Sequence, residues 1–174
     1  MAAVVADVSA QLVPWSGKAF CTGPRDESID VARLVTRDSN RWSDNDEPTV
    51  YLAGDPGVAM AELGRHWGER DAPAAVWSLR VDLAAVIDLR EPAAQRALGL
   101  PDDPAWILDV EGCRAMAAGL RERGDCDGII VPSAAVVDDP SRWNAVIFVE
   151  RLRTDIETAI QVEAKLLEVS PTGR

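Results

Sequence analysis

Arg41, Tyr51 and Glu62 stand ten and eleven residues apart in the stretch RWSDNDEPTVYLAGDPGVAMAE, residues 41–62. Together they suit a ligand that carries both negative charge and a planar ring. A guanidinium presents a flat fork of donors that can hold a phosphate or carboxylate with two bonds at once. A tyrosine offers an aromatic face and a hydroxyl. A carboxylate set among Met60, Ala61 and Leu63 is a group able to stabilise a developing positive charge. Further along, Ser133 closes the apolar run GIIVPS, and Asn144 follows Arg142-Trp143; both place a hydrogen-bonding group at the end of a strand-like stretch. Each of these residues also has a plain structural reading. Arg41 has Asp44, Asp46 and Glu47 nearby as surface partners, a strand tyrosine is commonly half-buried, Glu62 fits a solvated helix face, and a serine after a strand and a proline commonly caps a turn.

The elements that would position these groups are legible locally. Thr49–Ala53 is a strand by its β-branched and aromatic content. Gly54 ends it, and Asp55 with Pro56 is a helix start, the aspartate as N-cap and the proline at the first helical position; the helix runs to about Trp67. Ala75–Val81 alternates as a strand, with a further short strand at Val86–Leu89. A short helix spans Pro92–Leu98 before Gly99, and a longer one runs from the cap Asp109 to Arg123, closed by Gly124. Gly128–Val131 and Asn144–Val149 read as strands, as does the alternating tail Ile156–Val169. Residues 14–47 read as long loops with a short strand near Lys18–Cys21. Residues 1–13 form a separate N-terminal segment ahead of one domain over 14–174. Short strands interleaved with a few helices, without βαβ spacing, give a mixed α+β fold.

Composition excludes several functions. Eighteen basic against twenty-nine acidic side chains leave a net charge of −11, which opposes nucleic acids and anionic membranes and favours basic partners. No apolar run approaches the length of a transmembrane helix, and the mildly apolar start MAAVVADVSAQLV lacks a basic n-region, so the expected location is the cytoplasm. Cys21, Cys113 and Cys126 are odd in number and widely spaced, which supports neither a disulfide framework nor zinc. His66 is the single histidine; no two-His metal motif exists, and any Ser-His-Asp or Cys-His centre depends on that residue alone. G-x-G-x-x-G after a strand and the P-loop pattern are both missing.

The order of motifs carries more than any one of them. Asn40-Arg41-Trp42, Pro48-Thr49-Val50-Tyr51-Leu52-Ala53, Ala59-Met60-Ala61-Glu62, Asp127-Gly128-Ile129-Ile130-Val131-Pro132-Ser133-Ala134 and Asn144-Ala145-Val146-Ile147-Phe148 resemble, in this succession, the RES domain family over roughly residues 14–150. The resemblance implies a fold similar to ADP-ribosyltransferase toxins and a toxin that consumes NAD, as substrate and with no cofactor or metal, neutralised by an Xre-type helix-turn-helix antitoxin. It implies that Glu62 and Arg41 are catalytic, with Arg41 on the pyrophosphate, Tyr51 against the nicotinamide or ribose, and Ser133, Asn144 and the Cys21 position in NAD binding. Two positions depart from the family pattern. Cys21 stands where an arginine is expected, with Lys18 and Arg25 as possible replacements, and Ser43 stands where the family has asparagine. A neutral thiol cannot supply the missing charge, so a weakened or inactive relative that mainly binds a protein partner is the alternative reading.

Overall fold

The computed structural model describes residues 8–25, 28–66 and 74–169, without the side chains of residues 65, 66 and 169. In chain order these residues form β1 (Leu12–Pro24), β2 (Thr49–Ala53), α1 (Pro56–His66), β3 (Ala74–Asp88), α2 (Pro92–Ala97), α3 (Val110–Arg123), β4 (Gly128–Pro132), β5 (Trp143–Phe148), α4 (Ile156–Ala159) and β6 (Ile160–Val169), linked in places by 3-10 turns. The expected helix end near Trp67 and the His66 side chain, on which a hydrolase centre would depend, lie outside the described residues.

The strands form one sheet in the order β1-β2-β5-β4-β3-β6, and β1 also pairs with β3 along its length. With Phe20 opposite Ala53 of β2 as well, the sheet curls back on itself around an apolar interior. Only β3 and β4 run parallel, at Val86–Asp88 beside Gly128–Ile130. The fold is mixed α+β, as the sequence indicates. Every residue of β4 is buried, because the sheet is covered on both faces there. Side chains alternate across β2, β5 and β4. Val50, Leu52, Ala145, Ile147 and Ile130 join the cluster that contains Leu79, Val81 and Ile160. Ile129, Val131, Val146 and Phe148 join the cluster beneath α3 that contains Leu120 and Ile107. Fully burying each such aliphatic or aromatic side chain contributes about 1.5–3 kcal/mol. At Gly128 the backbones approach so closely that a Cβ would run into the Val146 carbonyl oxygen.

Local capping agrees with the sequence. The Asp55 carboxylate accepts from the Val58 N–H at 3.0 Å and that of Asp109 from the Gly112 N–H at 3.1 Å, while Gly124 closes α3 with φ 78°, a conformation glycine adopts at little cost.

Three expectations are corrected. Within residues 14–47 the described part after β1 is loop and turn apart from the 3-10 turn Val31–Leu34, as expected, but the strand expected near Lys18–Cys21 is much longer. β1 is a 13-residue strand, ordered by its register against β3 from Leu12↔Ile87 to Pro24↔Ala74. The strands expected at 75–81 and 86–89 are one strand of 15 residues, in which Arg80, Asp82 and Ala84 take the exposed positions and keep the alternation unbroken. The tail begins with the single turn α4, capped by Asp155, and becomes a strand only at Ile160, where it pairs with Val81.

Candidate functional site

The loop before β2 carries Arg41 and is tied down from two sides. The Asn40 N–H donates to the Ser43 carbonyl at 2.9 Å, making a tight turn. From α3, Arg114 Nε donates to the Asn40 carbonyl at 2.7 Å. From β2, the Tyr51 hydroxyl accepts from the Trp42 N–H at 3.3 Å and shares a hydrogen bond of 3.1 Å with Ser43 Oγ. Trp42 is buried and meets Trp106 edge to face with ring centroids 6.3 Å apart. The turn therefore holds Arg41 in a fixed place, with its Nη1 donating to the Ile107 carbonyl at 2.6 Å. Of the nearby acids, Glu47 is engaged elsewhere: it accepts from the Asp44 N–H at 2.7 Å and lies 3.6 Å from Arg121. Arg121 is itself buried, held by Glu150 and by Thr49 Oγ1, with its guanidinium over the Phe148 ring.

Glu62 is brought in by α1. Val58 and Ala59 bury the face of this helix against the sheet, and Glu62 follows them by four and three residues, so it lies on the same face. Its Oε1 accepts from Ser133 Oγ at 3.2 Å and from Asn144 Nδ2 at 3.0 Å. Asn144 stands opposite both Ala53 of β2 and Val131 of β4, and Ser133 follows directly at the end of β4. Ser133 is fully buried and also caps the next turn by accepting from the Ala135 N–H at 3.2 Å.

A cavity of about 600 Å³ joins these parts, within the usual range for small-molecule sites. Arg41, Tyr51, Glu62, Asn144 and Cys21 all line it. Ser133, hydrogen-bonded to Glu62, is absent from the cavity's described lining. A second cavity, of about 510 Å³ around Trp15, Asp82 and Arg153, holds none of the candidate residues.

The electrostatics are set mainly by burial. Desolvation pushes the Cys21 thiol up to about 12, so it is neutral and not nucleophilic near pH 7. Burial also raises Tyr51, opposed by its hydrogen bonds with Ser43 and the Trp42 backbone. Cys113, near Arg41, is pushed up to about 11 by burial, which outweighs the charge of Arg41. Neither residue proposed to stand in for the missing arginine reaches the cavity. Lys18 pairs with Glu163 at 3.1 Å and Arg25 with Glu168 at 2.7 Å, and both are absent from its described lining. Arg33, on the 3-10 turn Val31–Leu34, does line it. No motif marked that residue. The only local signal was the cap Asp30, whose carboxylate accepts from the Ala32 N–H at 3.0 Å.

The chain is thus a mixed α+β fold with a curled sheet, carrying a glutamate on the helix after β2 and an arginine on the loop before it. The model of the RES domain matches residues 25–166, and the chain belongs to the RES domain family. Among solved structures, that of the M. tuberculosis MbcT–MbcA toxin–antitoxin complex contains a chain with the same fold, at a TM-score of 0.69 and 22% identity over 94% of this chain and 90% of that one. A search of curated proteins returns no match. Among the described residues, no helix is long and apolar enough to cross a membrane.

Proposed function

We propose that the protein is a cytoplasmic toxin that consumes NAD by cleaving the bond between nicotinamide and ribose, and that a helix-turn-helix antitoxin of the Xre type neutralises it. One observation carries this reading: a glutamate held by two donors and an arginine held by a backbone carbonyl face the same cavity. In the cleavage, the bond between C1′ and the pyridinium nitrogen breaks and its electron pair leaves on that nitrogen, so nicotinamide departs neutral. The ribose is left with oxocarbenium character at C1′, as in glycoside hydrolysis. A carboxylate beside C1′ stabilises that charge more than the ground state, which is the condition for catalysis. Glu62 has this role, Arg41 holds the pyrophosphate and Tyr51 packs against the nucleoside end. Ser133 and Asn144 act through Glu62, fixing which way its carboxylate points. An acceptor oxygen, from water, phosphate or a protein side chain, then supplies the new bond to C1′.

Incubating the pure protein with NAD and following free nicotinamide tests this. Release that is lost in Glu62→Gln supports the assignment. No release by wild type, or full release by Glu62→Gln, counts against it. The neutral Cys21 thiol in the cavity wall favours a second reading, a RES protein of reduced activity that mainly binds its partner. Co-purification with a neighbouring helix-turn-helix protein together with negligible turnover supports that reading, and robust NAD cleavage without a partner removes it.

A further inference from the structure

We infer that Arg33 and Arg41 together form a clamp for a diphosphate, with Arg33 a binding residue outside every motif of the sequence; the inference rests on the NAD-cleaving reading of the same cavity. Arg33 and Arg41 are the cations among the described residues that line this cavity, and Asp38 and Glu62 are the acids. The protonated Cys21 thiol adds no charge to the wall. A diphosphate presents two neighbouring anionic groups, and one guanidinium fork matches one of them. In a chain of net charge −11, an anionic ligand needs concentrated local positive charge to enter.

The two arginines are built differently. Arg41 is half-buried, and its Nη1 is committed to the Ile107 carbonyl at 2.6 Å, so it is placed before a ligand arrives. Arg33 is exposed, but its backbone is not loose. Its turn is capped by Asp30 and anchored by the buried Val31, and Leu34 and Thr36 continue the same cavity wall. Arg33 thus joins Arg41 in the cavity wall from a turn whose backbone is fixed.

Calorimetry with ADP, AMP and adenosine as probes, alongside nicotinamide release from NAD, tests the clamp. In Arg33→Gln, ADP affinity is expected to fall at least about tenfold, the scale of one lost charge-assisted bond, while adenosine binding stays as in wild type. KM for NAD rises by a similar factor, the change falling on KM more than on kcat. Arg33→Lys, which keeps the charge without the fork, recovers part of the loss. ADP affinity and KM unchanged in Arg33→Gln overturn the clamp, and they do so without touching the NAD-cleaving reading if wild type releases nicotinamide. Arg33-dependent ADP binding by a wild type that releases no nicotinamide keeps the clamp and removes the cleavage. A wild type that does neither removes both.

Discussion

The two hydrogen bonds to Glu62 Oε1 lead to a quantitative prediction about Ser133 and Asn144. At 3.2 and 3.0 Å, each donates to a charged acceptor, and such a bond contributes about 1.5–3 kcal/mol. A factor of ten in rate corresponds to about 1.4 kcal/mol. Glu62 is half-buried and therefore partly screened, so the lower end applies: Ser133→Ala and Asn144→Ala are each expected to reduce kcat/KM for NAD about tenfold. The double variant should fall short of the product. Both donors serve one oxygen, and once either is lost the carboxylate can turn and weaken the other bond, a coupling in the usual range of about 0.5–3 kcal/mol for residues in one network. Nicotinamide release measured for the four proteins of the cycle gives the coupling directly, with thermal unfolding as a check that each variant is folded. Wild-type kcat/KM in both single variants, with Glu62→Gln inactive, would refute the positioning argument. Strict additivity would refute it in another way, by giving Ser133 a separate contact with the ligand.

Tyr51→Phe keeps the ring but removes the partner of the buried Trp42 N–H and one partner of Ser43; a loss of about 1–3 kcal/mol is expected, or about 2–4 °C in Tm per kcal/mol, and an unchanged Tm would show that the tie carries no weight. Gly128→Ala drives a methyl into the Val146 carbonyl and should cost about 1–3 kcal/mol, read as a lower urea midpoint than that of the surface variant Gly64→Ala, where a Cβ meets nothing within 4 Å. Stability should fall at alkaline pH. Unfolded thiols ionise from about pH 9, whereas Cys113 and Cys126 stay protonated to about 11 and Cys21 to about 12 in the folded chain. Their contribution is therefore complete below pH 9 and lost as pH rises through 11 and 12, at up to about 1.4 kcal/mol per pH unit and thiol. Urea midpoints at about pH 8 and pH 10 should diverge less in Cys21→Ala than in wild type, and an equal divergence would contradict the burial argument.

Sequence by itself determined the elements whose instructions are local. Asp55-Pro56 starts α1, Asp109 and Gly124 bound α3, and Thr49–Ala53 is β2, because a cap, a proline ring, a left-handed glycine or a β-branched run acts within a few residues. Arg41, Tyr51, Glu62 and Asn144, which line the cavity, were also legible, through the order of motifs more than through any single residue. Tertiary structure decided what depends on distant partners. The length of β1 is imposed by β3, since Cys21 pairs with Trp77 and Leu12 with Ile87; Gly23-Pro24 marks its C-terminal end locally, but its start carries no such signal. The meeting of Glu62 with Ser133 and Asn144 crosses 71 and 82 residues. It exists because β5 lies between β2 and β4, setting Asn144 opposite both Ala53 and Val131. The second cation of the cavity followed the same rule. Local reading placed a candidate at Lys18 or Arg25, but side chains on β1 and beyond it are claimed by acids of β6, and the fold turns Arg33 toward the site instead.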